Sequence, residues 1–173
     1  DLNWTDSIKE AQKNWVGRSE GASLRFSGAG KASHAVVEVF TTRPDTIFGV
    51  GFMVLAPEHE LVSVFTSNEQ KKDVEEYIVA AARKSERERQ GEKEITGISL
   101  GGYVIHPLTG HEIPVYIADY VLAGYGTGAI MAVPAGDERD WKFAQHFSIE
   151  IPSIFEGYDT DQEVCADENA KLK

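Results

Sequence analysis

Cysteine is almost absent from this sequence. Cys165 is the only one, so the chain cannot form an internal disulfide. A protein without disulfides is typical of a reducing compartment and depends on its apolar core for stability. Because Cys165 lies in a polar tail, we expect no nucleophilic role for its thiol.

Long hydrophobic runs and targeting signals are also missing. No apolar stretch approaches the roughly 20 residues of a membrane span. The chain starts at Asp1 without a methionine, a basic segment or an apolar leader, so we see no secretory signal. We expect no membrane partner, and we interpret the sequence as an excerpt from a longer polypeptide, such as an inserted domain.

Positive charge is scarce. The chain has 17 Lys and Arg against 28 Asp and Glu, a formal net charge of −11. This balance argues against broad binding along a nucleic-acid backbone, which needs clusters of basic residues. Residues 156–173 hold six acids against two lysines and therefore −4 of that charge, which indicates an acidic C-terminal tail or linker. Contact with a short end of nucleic acid stays compatible with this distribution.

The 173 residues, 42% hydrophobic and 26% charged, fit one globular domain that buries roughly two-thirds of its unfolded surface. Apolar periodicity and turn residues predict its elements. Helices are predicted over 6–16 and 57–65. A long helix is predicted after the Ser67/Gln70 capping box, and a further helix after Asp137. The predicted strands cover 22–26, 34–41, 49–56, 113–117 and 129–133.

The predicted long helix has a buried face and a charged end, and two turns follow it. The inner face of the long helix is predicted to comprise Val74, Tyr77, Ile78, Ala81 and Ala82. The alternating charges of 83–94 indicate a solvated face and a frayed end rather than a partner surface. Gly101-Gly102 and 107–110 are predicted as turns.

The order of the elements indicates an α+β fold. Strands come first and last with helices grouped between them, unlike the βαβα alternation of a doubly wound sheet. A closed sheet also removes exposed edges. We therefore predict a curved or closed, mainly antiparallel β-barrel core flanked by helices.

Several common site chemistries are excluded. The run Gly124-x-Gly126-x-x-Ala129 matches a dinucleotide fingerprint, but a strand closed by Pro134 follows it, so no helix N-terminus faces a phosphate. The five histidines form no zinc set and no catalytic triad pattern, so we interpret them as structural or surface residues.

Two motifs carry candidate site chemistry: residues 41–46, and the run from Gly124 to Asp140. The stretch 41–46, Thr-Thr-Arg-Pro-Asp-Thr, crowds three hydroxyls and a guanidinium around one proline. It fits a turn with backbone caps, and it also offers the donors and acceptors that orient water and stabilise an oxyanion. Asp140 alone fits a helix cap or an ion pair, and Arg139 fits a surface residue.

Together, these motifs resemble the paired signatures of the editing domain inserted in leucyl-tRNA synthetases. The second signature is Gly-Tyr-Gly-Thr-Gly-Ala-Ile-Met-Ala-Val-Pro-x-x-Asp-x-Arg-Asp, from Gly124 to Asp140. The likeness runs from about residue 10 to about residue 150. The isoleucyl and valyl relatives carry a similar threonine-rich stretch with a different second signature, so the resemblance favours the leucyl enzyme, of bacterial or organellar type.

The resemblance implies hydrolysis of the ester that joins a wrong amino acid to the terminal adenosine of leucine tRNA. Asp140 matches the acid that holds the substrate's α-ammonium. Thr46 matches the residue whose side chain blocks leucine, as a double sieve requires. Thr41 and Thr42 match the threonines near the scissile ester.

Other positions match the substrate-binding surroundings in the family. Met131 and Val133 match the pocket wall, and Tyr125 matches a family position close to the bound adenosine. Arg139 is expected near the tRNA end. Arg43 and Asp137, within the two motifs, complete the set of candidate substrate-binding residues. No metal or diffusible cofactor is implied for editing, because ATP and Mg²⁺ serve only the synthetic body, whose motifs are missing here.

The sequence departs from the family at one position. Many members show His where this chain has Gly136, so any role of that imidazole is absent here. We assign residues 1–155 to the editing domain, with 1–21 as a lead-in from the synthetase body, and 156–173 to the acidic tail or linker.

The expected partners are the rest of the synthetase chain and leucine tRNA carrying norvaline, isoleucine or methionine, with the protein monomeric in the cytoplasm or an organellar matrix. Two alternatives stay open. The chain could be a module that binds the tRNA 3′ end and is inactive in isolation. It could also be a non-enzymatic α+β interaction domain whose threonines and aspartates are caps.

Overall fold

A computed structural model of the chain describes residues 3–17, 19–91, 94–159, 163–165 and 170–173. Within these residues the α-helices are α1 (Asp6–Val16), α2 (Val62–Phe65), α3 (Lys71–Ala81), α4 (Glu86–Gly91) and α5 (Glu138–Phe147), and short 3₁₀ helices cover Gly30–Ala32 and Pro44–Gly49. The strands of the described ranges are β1 (Ala22–Gly28), β2 (Val36–Thr41), β3 (Phe52–Leu55), β4 (Ile98–Ile105), β5 (Glu112–Ile117) and β6 (Ala129–Ala132). Within the described residues, no helix has the length and apolarity to cross a membrane.

The strands form one six-stranded sheet in the order β2-β1-β4-β5-β3-β6. The β3–β5 pair is parallel and the other pairs are antiparallel. The two outer strands, β2 and β6, lie against each other and nearly close the sheet. The predicted α+β fold with a mainly antiparallel, barrel-like core is therefore confirmed.

The core follows the apolar strand patterns. All four residues of β3 are buried, as expected for a continuous apolar run. On one side of this strand Phe52 stacks on Phe143 of α5, with ring centroids 4.9 Å apart, and Tyr116 meets Phe143 edge-on. These aromatic contacts fix α5 against the sheet, and α5 carries Asp140.

Most predicted elements have the expected type, but the helical segments differ in detail. The helix expected from Pro57 begins only at Val62, because residues 57–61 form turns. The Ser67 hydroxyl accepts the Gln70 N–H at 3.3 Å as predicted, but α3 begins only at Lys71, so this bond lies in the turn before the helix and Gln70 is the N-cap. Ala82, predicted to be on the inner face of α3, is exposed, since the helix ends at Ala81.

The prediction of a solvated charged face over 83–94 is wrong at Arg89. This side chain is 5% exposed and belongs to a separate helix, α4. Its guanidinium donates to Glu58 Oε1 at 2.6 Å and to the carbonyls of Asp119 and Val121 at 2.6 and 3.1 Å. Arg89 is buried because these acceptors replace its hydration, which a charge pattern in one segment cannot reveal.

The predicted turn at Gly101-Gly102 is also wrong, since both glycines lie inside β4. The register of β4 against β5 shifts between Ser99 and Tyr103, as in a β-bulge. Gly101 has a φ of +73°, and a Cβ on Gly102 would overlap the Phe65 carbonyl oxygen. Glycine is needed here for backbone conformation and close approach.

The two ends of the chain differ in their contacts. The bounds predicted for α1 are confirmed, yet Ile8 and Trp15 on this helix are 47% and 87% exposed. The C-terminal segment instead returns to the domain through a bridge between Phe155 and Leu172. Cys165 is buried there, and its N–H donates to the Ala135 carbonyl at 2.9 Å. The interpretation of Cys165 as part of a polar tail is therefore wrong.

Candidate functional site

The two sequence motifs meet at one cavity of about 390 Å³. It lies where the end of β2 and the following 3₁₀ helix face the segment that joins β6 to α5. The lining residues come from both motifs and from the C-terminal segment: Thr41, Arg43, Thr46, Met131, Val133, Gly136, Asp137, Asp140, Phe155 and Cys165.

The threonine-rich motif is folded by its own hydrogen bonds. Thr41 ends β2, and its Oγ1 accepts the Arg43 N–H at 3.0 Å. Pro44 then starts the 3₁₀ helix, as its fixed φ favours. The Thr46 hydroxyl donates to the Arg43 carbonyl at 2.9 Å, and the Thr46 N–H donates to the same oxygen at 3.2 Å. Since its hydroxyl is used internally, buried Thr46 offers the cavity mainly steric bulk.

Arg43 is held beside the cavity by a neighbouring acid. Its Nε donates to Asp45 Oδ1 at 3.1 Å and its Nη2 to Asp45 Oδ2 at 2.9 Å, a two-pronged pair. These contacts with Arg43 lower the pKa of Asp45 below its usual value. Asp45 is therefore an ionised partner of Arg43.

The acidic motif is shaped by a helix cap. Asp137 precedes α5, and its Oδ1 accepts the N–H groups of Arg139 and Asp140 at 2.9 and 3.0 Å. The predicted cap is thus confirmed for Asp137. Asp140, one turn on, points its Oδ2 back to the Val133 N–H at 2.9 Å, which ties the start of α5 to the end of β6.

The Asp140 carboxyl is buried, and its surroundings disfavour the ionised form. It is 7% exposed. Burial, and secondarily the negative charge of Asp137, raise its pKa to about 7, although the Val133 N–H and Arg139 act in the opposite direction. A buried acid that titrates near neutrality gains strongly from a nearby cation. The cavity is therefore suited to a ligand with a positively charged group.

Tyr120 is a member of the site region that sequence reasoning missed. The Arg139 guanidinium lies 5.0 Å from the centroid of its ring. Burial, and then the charges of Asp140 and Asp137, raise the pKa of Tyr120 well above its usual value. Among the described residues its hydroxyl is buried without a hydrogen-bond partner. No signal in the local sequence distinguishes Tyr120 from an ordinary core tyrosine.

The structure places the predicted residues in three groups. Seven line the cavity: Thr41, Arg43, Thr46, Met131, Val133, Asp137 and Asp140. Arg139 instead lines adjoining cavities with Tyr120. Thr42 is exposed and outside the lining, and Tyr125 is 84% exposed in the loop before β6. The two motifs thus place seven of the predicted residues on one cavity and three outside its lining.

The C-terminal segment contributes two lining residues that the sequence motifs do not contain. Phe155 and Cys165 close the cavity beside Gly136. A Cβ on Gly136 would lie 3.2 Å from Phe155 Cε2, tighter than ordinary van der Waals contact. Where the resemblance leads us to expect His, this chain packs a phenyl ring against a glycine.

The described residues also show how the glycine run and the histidines are placed. Residues 124–128 form a turn into β6, as the exclusion of a dinucleotide fingerprint requires. Across the part of the chain that the structure describes, no cluster of three or more His, Cys, Asp or Glu side chains could hold a metal ion. His106 is buried and hydrogen-bonded, in agreement with a structural histidine.

The chain is similar in sequence to part of the leucyl-tRNA synthetases. Residues 13–173 match the family model described as "Leucyl-tRNA synthetase, editing domain". The chain is 54% identical over 162 residues to the leucine–tRNA ligase of Parabacteroides distasonis, covering 94% of this chain and 17% of that protein. It is 58% identical over 153 residues to the Porphyromonas gingivalis leucine–tRNA ligase, covering 88% of this chain and 16% of that protein.

A solved structure has the same fold. The ternary complex of Agrobacterium radiobacter K84 agnB2 LeuRS with tRNA and LeuAMS matches with a TM-score of 0.73 and 36% identity. The match covers 92% of this chain and 19% of that one. The chain therefore spans less than a fifth of the length of these relatives.

Proposed function

Because the chain belongs to the family of leucyl-tRNA synthetase editing domains, we propose that it hydrolyses the aminoacyl ester of mischarged leucine tRNA. Water adds to the ester carbonyl, and collapse of the tetrahedral intermediate releases the amino acid and the ribose hydroxyl of the terminal adenosine. The observation that carries the proposal is the placement of a buried acid, Asp140, and a buried steric group, Thr46, on one cavity.

Asp140 supplies the contact that recognises an aminoacyl group. The α-ammonium of the substrate is a cation, and a cation beside the carboxyl stabilises its ionised form. Since burial raises the pKa of Asp140 to about 7, ammonium binding recovers part of the free energy that burial of the charge costs. A charge-assisted hydrogen bond also fixes the orientation of the ester relative to the hydroxyls.

Thr46 supplies the discrimination against leucine. A hydrophobic pocket separates side chains that differ by one methylene by only about 1–3 kcal/mol. Exclusion by a rigid obstacle is more effective, and Thr46 is held by two hydrogen bonds to one carbonyl. Norvaline, isoleucine and methionine are the proposed non-cognate amino acids.

Thr41 is the residue proposed to position the water. Its Oγ1 already accepts the Arg43 N–H at 3.0 Å, so its own proton is available for donation. Thr41 lines both the cavity that contains Thr46 and Asp140 and an adjoining cavity that Asp140 also lines. The proposed mechanism uses site hydroxyls and the substrate ribose, without a metal or diffusible cofactor.

A second candidate function is binding of the tRNA 3′ end without turnover by the isolated chain. Its support is the scarcity of positive charge, −11 net over 173 residues. Phosphate contacts supply much of the affinity for nucleic acid. A chain that spans 17% of its relatives would depend on their remaining residues for that affinity.

Deacylation of norvalyl-tRNA and leucyl-tRNA tests both functions. We would assay the 173-residue chain and a full-length leucine–tRNA ligase that carries these residues as its editing domain. Under the first function both release norvaline, and Asp140→Ala abolishes release while Asp73→Asn, an exposed acid on α3, leaves it unchanged. Release only from the full-length ligase supports the binding module. Unchanged release with Asp140→Ala would remove Asp140 from the site.

A further inference from the structure

We propose that His106 is a positioning residue for specificity, which holds the 3₁₀ helix of Thr46 in the place where Thr46 excludes leucine. The inference rests on the proposed function and adds a residue from outside both sequence motifs. His106 follows β4 in the turn toward β5, and it is 59 residues from Ile47 in sequence, although their atoms are in contact.

The His106 ring joins two separate backbone segments. Its Nε2 lies 3.0 Å from the carbonyl oxygen of Ile47, the residue after Thr46. Its Nδ1 accepts the N–H groups of Leu108 and Thr109 at 3.2 and 3.1 Å. The ring is 4% exposed, so water does not compete for these bonds.

These partners determine which ring nitrogen carries the proton. A nitrogen that accepts two N–H groups has no proton of its own, so Nδ1 is the unprotonated one. Nε2 therefore carries the proton and donates it to the Ile47 carbonyl. The same carbonyl accepts the Val50 N–H at 3.2 Å, so both of its lone pairs are used.

Burial of Thr46, Ile47 and Gly49 packs the helix that carries Thr46 against the rest of the domain. It is a 3₁₀ helix of six residues, and no side chain caps its N-terminus at Arg43. Such helices have poorer hydrogen-bond geometry than α-helices. The link from His106 is an anchor to the sheet at the residue adjacent to Thr46.

Aromatic packing keeps the ring in this orientation. Phe48, in the same 3₁₀ helix, stacks on His106 with centroids 6.0 Å apart, and Phe26 of β1 meets it edge-on at 6.3 Å. A packed ring with three hydrogen bonds has a single orientation. Because steric exclusion fails when an obstacle can move, this rigidity contributes directly to the discrimination by Thr46.

Two substitutions separate the link to Ile47 from the local turn. His106→Asn places an oxygen near the position of Nδ1, so it can still accept the N–H groups of Leu108 and Thr109, but it has no donor that reaches Ile47. His106→Gln places an amide N–H near the position of Nε2 and loses the acceptor. A role in the turn alone predicts that Asn is tolerated and Gln is not.

The experiment measures deacylation of leucyl-tRNA and norvalyl-tRNA by a full-length leucine–tRNA ligase that carries these residues. We expect His106→Asn to hydrolyse leucyl-tRNA at least about tenfold faster than the unsubstituted protein, approaching Thr46→Ala, since a relaxed pocket loses most of its discrimination. Hydrolysis of norvalyl-tRNA should stay within about twofold. His106→Gln should retain the exclusion of leucine.

The controls distinguish failure of this inference from failure of the proposed function. If the unsubstituted ligase does not deacylate norvalyl-tRNA, the proposed function fails. If it does, and Thr46→Ala admits leucine while His106→Asn does not, the role of His106 is overturned. Nitrogen NMR of the imidazole in the unsubstituted chain gives a result even if a variant fails to fold. A protonated Nε2 that exchanges slowly supports the link, and a protonated Nδ1 contradicts it.

Discussion

The Asp140 carboxyl accepts a hydrogen bond from the backbone N–H of Val133 at 2.9 Å, although burial raises its pKa to about 7. This bond joins Asp140, the proposed contact for the substrate ammonium, to Val133, a residue of the cavity wall. A single N–H does not replace the hydration that the carboxylate loses. Asp140 is therefore an acid whose ionised form is unfavourable, and a cationic ligand beside it relieves that cost.

This relationship predicts a pH-dependent stability difference between the protein and its Asp140→Asn variant. The folded-state pKa is raised from 3.8 to about 7, so the folded state binds the proton more tightly than the unfolded state does. The stability that protonated Asp140 contributes is fully present below about pH 3.8 and is lost as the pH rises through about 7. At about 1.4 kcal/mol per pKa unit, we expect the variant to gain about 2–3 kcal/mol relative to the unsubstituted protein between pH 5 and pH 8.

Urea unfolding at these two pH values measures that difference. Other titrating groups are common to both proteins and cancel in the comparison. A constant difference from pH 5 to pH 8 would show that Asp140 has an ordinary pKa.

The exclusion of leucine is predicted to depend on the bulk of Thr46 and not on its hydroxyl. Thr46→Ala should deacylate leucyl-tRNA, because it removes the obstacle. Thr46→Val keeps the branched shape and loses only the bond to the Arg43 carbonyl, which still accepts the Thr46 N–H. Comparison of the leucyl-tRNA deacylation rates checks this, and loss of exclusion in the valine variant would assign the sieve to the hydroxyl.

Arg89 is predicted to be essential for stability. Arg89→Leu leaves the carbonyls of Asp119 and Val121 without their donor and Glu58 without its partner. Breaking a buried ion pair on one side costs about 3–5 kcal/mol, and Glu58 is partly exposed, so we expect a loss of about 3 kcal/mol. Thermal unfolding provides the measurement.

Arg87→Leu is the matched control for this prediction. Arg87 lies on the same short helix and is exposed. Its substitution should change stability by no more than about 0.5 kcal/mol. Equal effects of the two substitutions would mean that Arg89 does not make these buried contacts.

Tyr120→Phe is predicted to be neutral or to stabilise the protein by about 1 kcal/mol. A buried hydroxyl without a partner carries a desolvation cost, which the substitution removes while it keeps the ring. Tyr77→Phe is the contrast, because the Tyr77 hydroxyl contacts Thr96 Oγ1 at 3.0 Å and accepts the Asp119 N–H at 2.9 Å. That variant should lose about 1–2 kcal/mol. Denaturant unfolding of both variants tests the contrast, which a loss in Tyr120→Phe would contradict.

Local patterns in the sequence were sufficient for most of the fold. The apolar run of β3, the hairpin of β1 and β2, and the Asp137 cap of α5 each depend on residues that are neighbours in the chain. Hydrophobic periodicity and capping are short-range effects, so they can be read from the sequence. The bulge at Gly101-Gly102 was missed because a glycine pair also fits a turn.

The candidate site was predicted in part. Seven motif residues line the cavity because each motif lies at the end of a strand, and β2 and β6 lie side by side in the nearly closed sheet. Their functional roles remain predictions. The order of the strands, which brings the two motifs together, required pairing across the whole sheet.

Residues whose environment is built by distant segments could not be predicted from their neighbours. Arg89 is buried by acceptors from 58, 119 and 121, and Cys165 is buried by a return of the C-terminal segment. The chain sequence alone indicated the element types, the family resemblance and the candidate residues. Burial, the raised pKa of Asp140 and the His106 link to Ile47 arise from packing between segments far apart in sequence, because solvent exclusion and hydrogen-bond partners exist only once the chain has closed on itself.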